Sequence, residues 1–159
     1  MVRWYWENTK SKRIKEGVIM ADIEKLLPHR EPFLFVDDLL EVNEHSIIGE
    51  YRLKPTEFFF KGHFPEYPVV PGVLLVEMMA QCGGAGLKQS GIISADGLFF
   101  LATVEKAKFR RQVRPGEKVR IEVTNIRVSP RMIRQSGVVK VGDEVAAEAS
   151  WMCLVGQGA

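Results

Sequence analysis

The chain has 159 residues and a mass of 18.0 kDa, the usual size of one domain and too short for two with full cores. Its 46% hydrophobic and 26% charged residues exclude a disordered, collagen-like or disulfide-framework protein. With 22 basic against 20 acidic residues the net charge is +2, so bulk charge gives no reason for a nucleic-acid or membrane partner, and an anionic partner has to be met locally.

Residues 1–19 (MVRWYWENTKSKRIKEGVI) are basic and aromatic without a sustained period, and they lack the apolar stretch and cleavage site of a secretory signal. They are expected to form an appendage to a domain over 20–159, with Met20 as an alternative start of the chain. From there ADIEKLL predicts a short helix capped by Asp22 and stopped by Pro28, and PFLFVDDLLEV reads as extended chain. HSIIGEYRL, GLFFLATVEKAKFR, EKVRIEVTNIRV, MIRQSGVVKV and EVAAEASWMCLV read as strands, separated by turn signals such as Arg114-Pro115-Gly116 and Val141-Gly142-Asp143. The domain is therefore expected to be mostly antiparallel sheet.

One segment departs from that pattern. PGVLLVEMMAQCGGAGLKQSG starts with Pro71 and Gly72, continues through good helix formers and ends in glycines, which predicts the one long helix. Leu74, Leu75, Val76, Met78, Met79 and Ala80 point in nearly every direction around it, so it should be buried on all sides with the sheet wrapped around it. The longest apolar run, Val69 to Ala85, is broken by Pro71, Gly72, Glu77 and Gln81 and falls short of a membrane span of roughly 18 residues. Cys82 and Cys153 lie far apart in apolar stretches without metal-ligand spacing and are expected to be reduced core thiols of a cytosolic protein.

Glu77 and Gln81 are the strongly polar side chains of that helix before its glycines, and their spacing of four puts them on one face. A carboxylate in such a setting needs a partner or holds its proton more tightly than in water. Just upstream, FFFKGHFPEYPVVPG places His63 beside Pro65, Pro68 and Pro71, three residues apart, which stiffens the segment and holds an imidazole at little further entropy cost. A lone loop histidine is more often structural, as is a glutamate bonded to backbone. His45 falls in a turn, and His29, after Pro28, is read as orienting nearby backbone rather than as a catalyst. The helix start at Gly72 either simply begins the helix or offers amide groups to developing negative charge. An imidazole, a protonatable carboxylate and an amide donor are the parts needed to remove a proton beside a thioester carbonyl and expel a hydroxyl.

The segment GHFPEYPVVPGVLLVEMMAQ, with LPHREPFLFVDD upstream and KFRRQVRPGEKV downstream, closely resembles the FabZ-type (3R)-hydroxyacyl-[acyl-carrier-protein] dehydratases of bacterial fatty acid synthesis. The resemblance runs from about Met20 to Val155 and implies an α+β hot dog fold, an antiparallel sheet wrapped around one long central helix. It further implies His63 and Glu77 as catalytic residues, Gly72 as the amide that binds the thioester carbonyl, and Val73, Phe64 and Gln81 beside the substrate. In this family each site is shared by two subunits, dimers usually assemble into hexamers, the acyl substrate arrives on acyl carrier protein, and no metal or organic cofactor is needed. A related dehydratase and isomerase group carries Asp at the helix position, so Glu77 favours the plain dehydratase. Glu66-Tyr67 departs from the small and basic residues expected there, which leaves chain-length preference open.

Phe60, Phe64, Met78, Met79, Phe99 and Phe100 are candidates to line an acyl tunnel. Lys106, Lys108 and Arg110 on one strand face, with Arg131 and Arg134 nearby, are candidates to receive an acidic carrier. Two other functions stay open: a thioesterase of the same fold, against which the GHFP histidine argues, and a non-catalytic acyl-binding scaffold.

Overall fold

The computed structural model describes residues 21–157; the basic appendage and the Met20 start lie outside them. A short helix α1 (Ile23–Leu26) opens the domain. Asp22 takes its N-cap position, but its carboxylate pairs with Lys25 at 3.0 Å instead of bonding the helix backbone. The strands follow as β1 (Asp38–Val42), β2 (Ser46–Arg52), β3 (Gly97–Phe109), β4 (Lys118–Val128), β5 (Met132–Val141) and β6 (Glu144–Gln157), with α2 (Gly72–Gln89) between β2 and β3. They form one antiparallel sheet in the order β1-β2-β4-β5-β6-β3. This is the hot dog arrangement that the alternating strand patterns and the single apolar helix require.

The alternation of β4 shows how the sheet meets the helix. Val119, Ile121 and Val123 are buried while Arg120 and Glu122 point outward, where Glu122 pairs with Arg120 and Lys140. Extended chain before β1 is only partly laddered: Phe35 gives its N–H to the Gln81 side chain of α2, so the segment from Phe33 to Val36 passes over the helix before joining the sheet at Asp38.

The glycines that looked like a helix end lie inside α2, which runs 18 residues and stops before Gly91, whose φ of 77° no β-carbon favours. Their cause is the sheet beneath. A β-carbon on Gly84 would sit 2.8 Å from the Phe99 ring, and one on Gly86 would sit 2.5 Å from Ile47, which is fully buried. Gly86→Ala therefore sets a helix-propensity gain of about 1 kcal/mol against an overpacking cost of about 1–3 kcal/mol. The cost wins because three Ile47 carbons lie within 2.7 Å. The expected result is a melting temperature lower by roughly 2–8 °C, read by differential scanning calorimetry; an unchanged or higher value refutes the close contact.

Burial of α2 is not all-round. Leu75, Val76, Met78, Met79 and the turns from Gln81 to Lys88 are covered, but Val73 is 72% exposed and Glu77 and Ala80 on the same stripe are only partly covered. β3 is the terminal strand of the order, so among the described residues one of its edges is unpaired. Leu101, Val104 and Phe109 of β3 are exposed. A one-residue bulge between Glu105 and Lys108 interrupts the alternation, with Lys106 at φ 53°, so Lys106 does not follow the simple face pattern expected with Lys108 and Arg110.

Candidate active site

His63 follows a single 3-10 turn (Phe58–Lys61) whose N-cap residue is Glu57. Glu57 is buried, and its carboxylate accepts the Tyr51 hydroxyl at 2.5 Å and the Lys54 N–H at 3.3 Å. Beyond it the backbone of His63 is pinned at both ends: its N–H donates to Phe59 O at 2.9 Å and its carbonyl accepts the Val69 N–H at 3.0 Å. Nδ1 of the ring lies 3.0 Å from Val69 O, so Nδ1 carries the hydrogen and Nε2 of the neutral ring has a free lone pair. Phe64 stacks on the imidazole with ring centres 4.2 Å apart, across a cis peptide bond, and half of its surface stays exposed.

Tyr67 has a clear task. Its hydroxyl donates to Gln112 at 2.8 Å, and the Arg114 guanidinium lies 4.0 Å over its ring, so this unusual residue fastens the histidine loop to the chain after β3. Glu66 is exposed and nothing in the structure explains it.

Glu77 stands half-buried in a recess of about 40 Å³ lined by Leu27, His29, Phe99, Leu101 and Cys153, with Gln81 at its floor. Gln81 is fixed on all sides: its oxygen accepts the Phe35 N–H at 2.9 Å, and its amide donates to Phe33 O at 3.1 Å and to Glu77 Oε1 at 2.9 Å. His29 Nε2 lies 3.5 Å from the same Oε1. Apolar surroundings alone would keep Glu77 protonated, and burial does push its pKa upward. Hydrogen bonds from His29 and Gln81 outweigh burial and hold the carboxyl below its ordinary range, so of the two alternatives the sequence left, Glu77 has partners.

Gly72 and Val73 line a separate groove of about 440 Å³ with Phe109, Arg110, Arg111 and Gln112. His63 lines neither this groove nor the Glu77 recess. Thus Glu77 and Gln81 line one recess and Gly72 and Val73 another, while His63 and Phe64 line neither.

Among the tunnel candidates, Phe99 lines the Glu77 recess; Met78, Met79 and Phe60 are core residues, and Phe100 is about half exposed and packs toward Gly156. Cys82 and Cys153 are buried and unbridged, their thiols pushed up to about 12 and about 11 by burial. The recess residue that the sequence did not single out is His29; its only local signal was its place in LPHREPF, 48 residues from Glu77.

The fold is that of a FabA-like hot dog domain, and the family model of the FabA-like domain matches residues 27–150. The chain is 41% identical over 144 residues to the 3-hydroxyacyl-[acyl-carrier-protein] dehydratase FabZ of Caulobacter vibrioides, covering 89% of this chain and 91% of that one. It is 43% identical over 136 residues to the protein of the same name from Desulforamulus reducens, covering 85% and 95%. The chain belongs to the FabZ family of dehydratases. In solved structures the fold is similar to a dehydratase heterocomplex from Xenorhabdus doucetiae, with TM-score 0.71, 16% identity and coverage of 89% and 93%. A thioesterase from Haemophilus influenzae has TM-score 0.54 at 14% identity, covering 76% and 78%. Those two likenesses speak to the fold alone.

Proposed function

We propose that the chain interconverts (3R)-3-hydroxyacyl and trans-2-enoyl thioesters carried on acyl carrier protein, in fatty acid synthesis in the cytoplasm. His63 Nε2 takes the C2 proton, Glu77 gives a proton to the departing C3 hydroxyl, and the Gly72 N–H bonds the thioester oxygen as enolate character builds. Water leaves, and the proton on His63 returns through solvent to Glu77, so the cycle closes. An acyl chain entering the recess displaces the water that solvates the carboxylate and pushes Glu77 toward its acid form. The observation that carries this reading is the pinned imidazole: with Nδ1 committed to Val69 O, Nε2 is free as a base.

That His63 does not line the Glu77 recess of its own chain supports a site completed by a second copy. The β3 edge, unpaired among the described residues, and the partly covered Val73–Glu77–Ala80 stripe are the surfaces such a copy would cover, and further assembly to a hexamer follows the family habit.

Incubation with a crotonyl thioester tests the reaction. Enone absorbance is expected to fall as water adds, without free thiol. Release of thiol instead establishes the thioesterase, and neither change leaves only an acyl-binding protein.

For the carrier, Lys108 and Arg110 share Glu148, and Arg134 pairs with Glu105, so part of the candidate basic surface is already compensated. Lys106 and Arg131 have no ion-pair partner among the described residues. The double reversal Lys106→Glu with Arg131→Glu is expected to raise KM severalfold for carrier-bound substrate and leave a small thioester unaffected. Equal effects on both substrates reject docking there.

A further inference from the structure

The recess around Glu77 contains an arrangement that the reaction scheme above does not use. Both neighbouring donors meet the same carboxyl oxygen: Gln81 Nε2 at 2.9 Å and His29 Nε2 at 3.5 Å from Oε1. Among the described residues nothing hydrogen-bonds Oε2. The other titratable residue lining the recess is Cys153 of β6, whose thiol is neutral, and Phe99 and Leu101 of β3 supply only apolar surface. His29 is therefore, with Gln81, one of the two side chains whose nitrogen faces the Glu77 carboxyl in the recess.

The imidazole is held for this contact. Arg30 bonds Leu27 O at 2.9 Å and His29 O at 2.6 Å, clamping the backbone on both sides of Pro28 and His29. The ring stacks loosely on Phe33, centres 6.4 Å apart, and the Phe33 carbonyl is the one that fixes Gln81. Nδ1 of His29 is buried with no partner among the described residues. A hydrogen on Nδ1 would be stranded there, so the neutral ring carries its hydrogen on Nε2, facing Glu77. A separation of 3.5 Å is long for a hydrogen bond, but such contacts tighten when substrate fills a site.

We propose that His29 is a positioning residue for Glu77: with Gln81 it occupies Oε1, and so reserves Oε2 as the oxygen that carries the proton to and from the substrate hydroxyl. The carbonyl oxygen of a protonated carboxyl still accepts two hydrogen bonds, so Oε1 keeps both donors in either protonation state, while Oε2 alone gains and loses the proton. Without His29 the carboxyl can turn about its last torsion and present the wrong oxygen, and a misplaced catalytic group loses rate far more than affinity. This inference rests on Glu77 being the acid of the reaction.

Three substitutions separate positioning from packing. His29→Phe keeps the ring without a donor; His29→Asn puts its amide where Nδ1 was, short of Glu77; His29→Gln puts its amide where Nε2 was. Hydration of a crotonyl thioester is expected to show kcat about tenfold lower with KM within about twofold for Phe and Asn, and recovery to within about threefold of wild type for Gln. The pH profile of kcat should shift upward on its Glu77 limb for Phe and Asn and return for Gln, because a donor to the carboxylate lowers its pKa.

The carboxyl carbon resonance of Glu77 in 13C-glutamate-labelled protein, assigned by its loss in Glu77→Gln, reports the same titration without turnover. An unchanged Glu77 titration in both Phe and Asn variants overturns the proposal, as does a Gln variant as impaired as Asn. Should His29→Phe not fold, the Asn and Gln pair decides alone. A wild-type protein that hydrates nothing refutes the dehydratase chemistry instead, while the resonance still tests the contact.

Discussion

His63→Ala is expected to lower dehydration by about a hundredfold to ten-thousandfold, the range a positioned base supplies, with no change in far-ultraviolet circular dichroism. The fold survives because the imidazole makes one side-chain bond, to Val69 O, while the loop is held by backbone bonds of His63 to Phe59 O and from Val69 N–H, and by Tyr67 on Gln112 and Arg114. Losing that bond on a partly exposed side chain costs about 1 kcal/mol, small beside the stability of a domain of this size. Rate and stability should therefore come apart. A variant that keeps more than about a third of the wild-type rate removes His63 from the reaction.

The second large effect comes from mixing. His63→Ala and Glu77→Gln are each expected to be nearly inactive, yet refolding the two chains together should restore activity. If each site takes His63 from one chain and Glu77 from the other, a mixed dimer has one site lacking both groups and one lacking neither. Random pairing makes about half the dimers mixed with one good site of two, so recovery should approach roughly a quarter of wild type. With both groups from one chain, every site keeps a defect and mixing restores nothing. Absence of recovery, with subunit exchange verified by mass spectrometry, would sink the shared site and leave the hydro-lyase assignment standing.

Much of this architecture was legible in the residues because it depends on local patterning. Strand alternation such as Val119-Ile121-Val123 and the dense apolar run of α2 are properties of short windows, and the prolines around His63 stiffen their own neighbourhood. The spacing of Glu77 and Gln81 correctly brought two polar groups together. What escaped depends on distant segments. His29 reaches Glu77 only because the chain from Leu27 to Phe35 folds over α2, and no pattern within LPHREPF signals that crossing. The interior glycines of α2 imitate a helix end until Ile47 and Phe99 from other strands are in view. The Lys106 bulge shifts which cations share a face, because a period of two assumes an unbroken ladder. The open stripe on α2 contradicts all-round burial, since Val73 is exposed and Glu77 and Ala80 are only partly covered, which the apolar run of the helix does not encode.

The glycine contacts of α2 set its standoff from the sheet, and this gives them a reach beyond stability. Glu77 and Gly86 ride on the same rod, nine residues and about 13 Å apart, so lifting one end tilts the other. A bulkier residue at Gly86 should therefore degrade the alignment of a carboxyl it never touches, and the damage should appear in kcat as well as in melting temperature. Shaving the opposing side chain, as in Gly86→Ala with Ile47→Val, ought to return both quantities together, whereas a stabilising change elsewhere would return only the second. Depth of seating, chosen at one end of the helix, becomes a catalytic parameter at the other.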